Sequence, residues 1–205
     1  MKMTRFFVVL AVAALLASSA FAQIDPALLK KAEAGDARAQ NAVAESYDKN
    51  QNYKEAFAWY SKAANYGLAR AQYNLGVMYA EGRGVPQDDK KALDWYSKAA
   101  NQGDAGAQYN LGQMYRTGRG VAQDNKKAVA WYTKAANQGF ADAQSNLGAM
   151  YVQGLGVPQD IVTGCAWIYA AGNANNSAYC DAALTSGQKS KALKKKDELA
   201  PKIAL

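Results

Sequence analysis

The chain has 205 residues, half of them apolar, with a formal charge of +7, two cysteines and no histidine. Without histidine it lacks the usual general base near neutral pH, the Ser–His and Cys–His nucleophile systems and most zinc-binding sets. Nucleic acid is also disfavoured as a partner: the body is nearly neutral, because Lys2, Arg5 and the lysines beyond residue 186 hold most of the excess charge, whereas a nucleic-acid binder spreads it along one face.

From the N-terminus, Lys2 and Arg5 precede an apolar run from Phe6 to Leu16 and small residues ending in Ala20-Phe21-Ala22. This pattern predicts a signal peptide over residues 1–22, cleaved after Ala22, and hence export to a bacterial periplasm or beyond the cell. The run is shorter than the roughly 20 apolar residues of a membrane helix, and no later stretch is long enough to span a bilayer. Asp25-Pro26 then marks a helix start, with Asp as cap and Pro in the first turn, and Gly35 marks its end. Residues 23–35 are expected to form an N-terminal capping helix.

Beyond residue 35 the chain is periodic. Ala71-Gln72-Tyr73-Asn74-Leu75-Gly76-Val77-Met78-Tyr79 recurs as 107–115 and 143–151, and Trp59, Trp95, Trp131 and Trp167 keep the same 36-residue step. A period of this size marks a solenoid whose units bury their apolar faces only against neighbours. Four units are expected, at about 36–67, 68–103, 104–139 and 140–175. In each, Ala71, Leu75, Met78 and Tyr79 or their equivalents share one face of a first helix, helix A. Mid-helix Gly76, Gly112 and Gly148 each cost about 1 kcal/mol relative to Ala, so the repetition points to close approach of a neighbouring helix, with ligand contact as the alternative.

Helix A runs into Gly82-Arg83-Gly84-Val85-Pro86-Gln87-Asp88 and its copies at 118–124 and 154–160. This stretch comes after a helix rather than a strand and lacks the Gly-Lys-Ser/Thr ending of a phosphate loop, so it is read as a turn whose Asp caps the next helix. The first unit, Tyr47 to Tyr53, has a turn four residues shorter and without glycine. Helix B then spans Lys91 to Asn101 and its equivalents, with Ala92, Trp95, Tyr96 and Ala99 on one face. These aromatics are read as core rather than as a platform for sugars or bases. Gly67, Gly103 and Gly139 provide left-handed helix ends.

The last unit diverges around Cys165 and Cys180, as expected of a terminal cap. Two antiparallel helices turning near residue 173 bring these positions level, so a Cys165–Cys180 disulfide is predicted for an exported chain, with two buried thiols as the alternative. Residues 177–205 are read as C-terminal capping helices. Ser186 to Leu199 forms the last of them, with Ala192, Leu193 and Leu199 covering the final apolar layer. Lys189, Lys191, Lys194, Lys195 and Lys196 are a solvated face or, alternatively, a weak contact for anionic surfaces.

The phrases Ala-Gln-Tyr-Asn-Leu-Gly-x-Met-Tyr, Gly-x-Gly-Val-x-Gln-Asp and Lys-Ala-x-x-Trp-Tyr-x-Lys-Ala-Ala-Asn-x-Gly resemble the Sel1-like repeat family, longer relatives of tetratricopeptide repeats. The resemblance covers about residues 32–175. It implies an all-α, right-handed solenoid of antiparallel helix pairs that serves as a protein-binding adaptor, with helix A lining the concave face. Some secreted relatives carry a Cys pair in every unit and are linked to β-lactam binding; this chain has one pair.

Positions that vary between copies of helix A indicate where a partner would be read: Tyr73, Val77 and Ala80 become Tyr109, Gln113 and Arg116, then Ser145, Ala149 and Val152. With the neighbouring Asn74, Asn110 and Asn146 they form a candidate groove for a protein or peptide, the alternative being that the stripe is partly inter-helix packing. No catalytic residue, metal site or cofactor is assigned. Asp88-Asp89 and Asp197-Glu198 are explained by capping and solvation. The expected role is a non-enzymatic, exported interaction scaffold; the alternatives are an enzyme acting on cell-wall or β-lactam substrates and a host-directed secreted effector.

Overall fold

A computed structural model describes residues 24–172 and 174–199, with residues 174–176 described in backbone only. The signal-peptide reading of residues 1–22 and the expected turn residue Asn173 lie outside the described residues. Among those described there are eleven α-helices and no strand. They fall into two compact units, one ending at Gln87 and the other beginning at Asp88.

The first unit contains α1 (Pro26–Glu33), α2 (Ala37–Lys49), α3 (Tyr53–Asn65) and α4 (Ala69–Glu81). The Asp25 carboxylate accepts from the Ala27 amide at 2.9 Å and Pro26 occupies the first turn, as the dipeptide predicts. Helix α1 packs on α2 through the buried Ala32. The hairpin between α2 and α3 closes through Asn50, Gln51 and Asn52, and Gln51 takes a left-handed φ of 62°. That shortened turn has no glycine for the strained position, so a glutamine bears it.

The second unit contains α5 (Asp89–Asn101), α6 (Ala105–Thr117), α7 (Asn125–Asn137), α8 (Ala141–Gln153), α9 (Ile161–Ala171), α10 (Ala174–Ala183) and α11 (Ser186–Leu199). Helices α5 to α9 pack consecutively, and α11 returns to cover α9. Asp124 and Asp160 accept backbone N–H bonds at the starts of α7 and α9, at 3.0 and 2.9 Å. The mid-helix glycines permit close approach. A Cβ on Gly112 would stand 2.6 Å from the buried Tyr132 ring, and one on Gly148 would stand 2.6 Å from the Gly164 carbonyl oxygen.

The expectation that the tryptophans are core holds only for the last. Trp167 is buried, but Trp59, Trp95 and Trp131 are half-exposed, while the adjacent Tyr60, Tyr96 and Tyr132 are buried. Neighbouring residues on a helix point about 100° apart, so only one of each Trp-Tyr pair can face inward. The outward indole is instead covered by the lysine one turn on, with ammonium-to-ring distances of 4.1 Å for Lys62 on Trp59 and 3.9 Å for both Lys98 on Trp95 and Lys134 on Trp131. Each such contact stabilises by about 0.5–1 kcal/mol at an exposed site.

Cys165 and Cys180 form the predicted disulfide, with Cα atoms 5.6 Å apart, inside a buried cluster with Ile168, Leu184 and Ala192. Of the residues expected to cover the last layer, Ala192 is fully buried and Leu199 packs on the cluster around Tyr132 and Trp167. Leu193 is 39% exposed, because it comes one position after Ala192 and so turns off the packed face. The lysine face is partly used internally. Lys195 donates to the Thr163 hydroxyl, which donates to Asp160, and Lys189 pairs with Asp181 at 2.6 Å.

Candidate protein-interaction surface

In the second unit the variable helix A positions lie on α6 and α8, each half-buried except the exposed Arg116. On α6 the residues are joined to one another. Gln113 donates to the Tyr109 hydroxyl at 3.1 Å and accepts at Oε1 from Tyr132 and from Arg116 Nε, the latter at 3.2 Å. Burial pushes the Tyr132 hydroxyl up to about 12, against the opposing pull of Arg116, so it stays protonated and donates. Tyr109 packs between Tyr132 and Phe140, with ring centroids 5.9 and 5.2 Å away. Tyr109 therefore belongs largely to inter-helix packing, and the inter-helix alternative applies to it.

On α8, Ser145, Asn146, Ala149 and Val152 line a cleft of about 430 Å³, together with Gln153, Ile168 of α9 and Tyr179 of α10. Tyr179 is 52% exposed, a large aromatic left in solvent at the cleft edge. Val152 also packs on the disulfide cluster, so it forms part of the floor. The cleft combines an apolar floor with amide and hydroxyl groups at its sides, which suits a side chain or short helix with an apolar face and polar flanks.

In the first unit, the equivalent Tyr73, Asn74 and Val77 on α4 are half-buried, and Arg70 lies over the Tyr73 ring at 5.4 Å. Ala80 is buried at 9% exposure and presents nothing to a partner, which corrects its place in the stripe. The equivalent position holds the exposed Arg116 in the next repeat, so it is the short alanine side chain, not the helical step, that leaves residue 80 covered. Asn110 on α6 is half-buried and sits outside the α8 cleft.

Sequence reasoning missed a set of glutamines. Gln40, Gln72, Gln108 and Gln144, the second residue of each Ala-Gln phrase, are buried, and each side chain donates to a carbonyl eight residues earlier: those of Ala32, Ala64, Ala100 and Ala136 at 3.1–3.2 Å. Each clamps the end of the preceding helix to the start of helix A. Invariance among the four copies was the available signal, since a solvent-facing glutamine has no reason to repeat. Among the described residues no group of three or more His, Cys, Asp or Glu side chains is arranged to hold a metal ion. No described helix is long and apolar enough to cross a membrane.

These observations define a protein of repeated, stacked helix hairpins with short glycine-bounded turns and a variable face on helix A. The Sel1 repeat profile matches residues 37–67, 69–104, 105–140 and 141–176, and the chain belongs to the Sel1 repeat family. Among solved structures, a protective antigen of uropathogenic Escherichia coli strains that displays an SLR fold is similar at 37% identity and a TM-score of 0.78, over 84% of this chain and 39% of that one. A Sel1 repeat protein from Oxalobacter formigenes is similar at 34% identity and a TM-score of 0.68, over 82% and 73%. In Rattus norvegicus, DAP3-binding cell death enhancer 1 is 45% identical over 40 residues, which are 20% of this chain and 8% of that protein. The fold is an α-solenoid of helix pairs, and proteins built from Sel1 repeats are in general non-enzymatic scaffolds for protein–protein interaction.

Proposed function

We propose that this protein is an exported interaction scaffold that takes a peptide or protein segment on the helix A surface of its second unit, centred on the α8 cleft. The carrying observation is the cleft itself: three of the variable positions and the neighbouring Asn146 meet Ile168 and the exposed Tyr179 around one apolar floor. Ser145, Asn146 and Gln153 flank it with polar groups. Export is supported by the N-terminal sequence pattern and by the buried Cys165–Cys180 disulfide, which an oxidising compartment maintains.

The test is a peptide-display selection on the folded chain, with the recovered peptides measured against Ala149→Arg and Tyr179→Ala. Ala149→Arg fills the cleft from a half-buried position. Binding lost in both variants at unchanged melting temperature supports the reading; peptides that bind the variants as well as the wild type refute the location. The mass of the protein recovered from the producing cell tests export, since processing after Ala22 leaves a chain beginning at Gln23.

A further inference from the structure

The glutamine clamp has a second half that the first repeat lacks. In the third repeat, Gln108 uses its N–H group on the Ala100 carbonyl, and its Oε1 accepts a 2.8 Å hydrogen bond from Gln138 Nε2. The same Gln138 nitrogen donates to the Gly103 carbonyl at 3.0 Å. One primary carboxamide, arriving from the end of helix B, thus satisfies two acceptors: a glutamine oxygen and the carbonyl of the glycine that ends the preceding helix.

Gln40 and Gly35 are the equivalents of Gln108 and Gly103 in the first repeat. Gln138 lies 30 positions after Gln108. Allowing for the turn four residues shorter, the matching position after Gln40 is residue 66, which is tyrosine. Tyr66 provides no amide and is 68% exposed. Gln40 is only 4% exposed and still donates to the Ala32 carbonyl, yet its Oε1 has no hydrogen-bond partner. A buried acceptor left without a donor is penalised by its lost hydration, and a ligand supplying that donor would recover the loss.

Around this acceptor lies a cleft of about 500 Å³ lined by Glu33, Gly35, Gln40, Trp59, Lys62 and Tyr66, among others. Trp59 forms a half-buried wall with Lys62 over its ring. Tyr66 reaches past Gly35, its hydroxyl 3.6 Å from where a Cβ on that glycine would stand. The cleft therefore has aromatic sides, a buried acceptor at its base and a glycine carbonyl beside it. Within the same chain, an equivalent acceptor pair is filled by a glutamine side chain.

We infer that the α1–α3 cleft is a receptor for a glutamine side chain presented by a peptide or protein partner, whose carboxamide reaches Gln40 Oε1 and the Gly35 carbonyl as Gln138 reaches Gln108 and Gly103. The requirement is for N–H on the ligand. A glutamate side chain of the same length brings only acceptors at neutral pH and so cannot donate to Gln40 Oε1 or the Gly35 carbonyl, while its charge would meet Glu33 as well as Lys62 in the cleft lining. This site lies wholly in the first unit and is independent of the α8 cleft.

The probe is N-acetyl-glutamine N-methylamide, titrated into the isotope-labelled full chain while the Gln40 side-chain amide and Trp59 indole signals are monitored; the glutamate analogue serves as control. Saturable shifts at both groups are expected, with at least a tenfold weaker response to the glutamate analogue. In Tyr66→Gln the built-in carboxamide should occupy the site, so the titration is lost while the fold is kept and the melting temperature rises. Tyr66→Ala, which leaves the acceptors open, should bind at least as well as the wild type. Equal responses to the two analogues, no saturable response in the wild type, or undiminished binding by Tyr66→Gln would each overturn the assignment.

Discussion

Replacing Gly148 by alanine sets two known effects against each other. Alanine in a helix interior is favoured over glycine by about 1 kcal/mol. Against this, the new Cβ would stand 2.6 Å from the Gly164 carbonyl oxygen and 2.7 Å from Ile168 Cγ1. Carbon contacts settle at about 3.5–4.0 Å, so α8 and α9 must part by about 1 Å, and the opposing atom is backbone, which no rotamer change can move. The reciprocal contact is equally tight: a Cβ on Gly164 would stand 2.7 Å from the Gly148 carbonyl oxygen. Overpacking of this kind costs about 1–3 kcal/mol, and displacement of α9 also disturbs the buried cluster around Cys165 and Ile168. The net expectation is a loss of about 1–2 kcal/mol and a melting temperature lower by about 2–8 °C. Thermal denaturation monitored by circular dichroism measures the loss, and hydrogen exchange should locate it in α8 and α9. A Gly148→Ala protein melting at or above wild type would show that the helices yield freely and that the glycine is not there for packing. Gly187→Ala is the control: nothing lies within 4 Å of the added Cβ. It should be stabilising by about 0.4–1 kcal/mol.

Replacing both Cys165 and Cys180 by alanine should cost about 3 kcal/mol, seen in denaturant titration and confined by hydrogen exchange to α9–α11. Gln51→Gly relieves the left-handed strain at φ 62° and should raise stability by up to about 1 kcal/mol in the same titration. Gln144→Leu removes the clamp on the Ala136 carbonyl and should cost about 1–2 kcal/mol, with faster amide exchange at the end of α7. The Asp160 carboxyl is held below its ordinary range first by the Thr163 hydroxyl and then by the Thr163 backbone N–H. Its folded pKa is depressed, so its stabilisation is present above the unfolded value near 4 and is lost as pH falls through the lower folded value. Melting temperature should therefore drop below about pH 4, and more shallowly in Asp160→Asn than in the wild type.

The features legible in the sequence were those written locally or repeated in register. Asp25, Asp124 and Asp160 cap the helices they precede, Gly103 and Gly139 have positive φ at helix ends, and Gly112 and Gly148 face close neighbours. The disulfide was legible because two short helices around one turn leave little choice of level. Orientation around a helix was harder, since a 36-residue step repeats Trp131 and Tyr132 together and gives both equal weight. Only the packing shows that Tyr132 is the one buried. The glutamine clamp was hidden because a polar residue on a helix reads as solvent-facing unless its acceptor is known. The α8 cleft was half visible: Ser145, Ala149 and Val152 vary among copies beside the constant Asn146, but Ile168 and Tyr179 belong to the diverged last repeat, where no period places them.

The second glycine of each long turn has a consequence for how such a chain changes length. A Cβ on Gly120 would meet the Asp89 carbonyl oxygen at 2.6 Å, and one on Gly156 the Asn125 backbone at 2.5 Å, so each turn is seated on the first residue of the previous repeat's second helix. Arg119 secures the same seat by pairing with Asp89 at 2.7 Å. An insertion or deletion of a few residues in one turn would lift it from the helix start below and unsettle two modules at once. A duplication or loss of a whole 36-residue module leaves every seat intact. Growth of this array is therefore quantised, and recombination in units of one repeat is the route by which it can lengthen or shorten without passing through a misfolded intermediate.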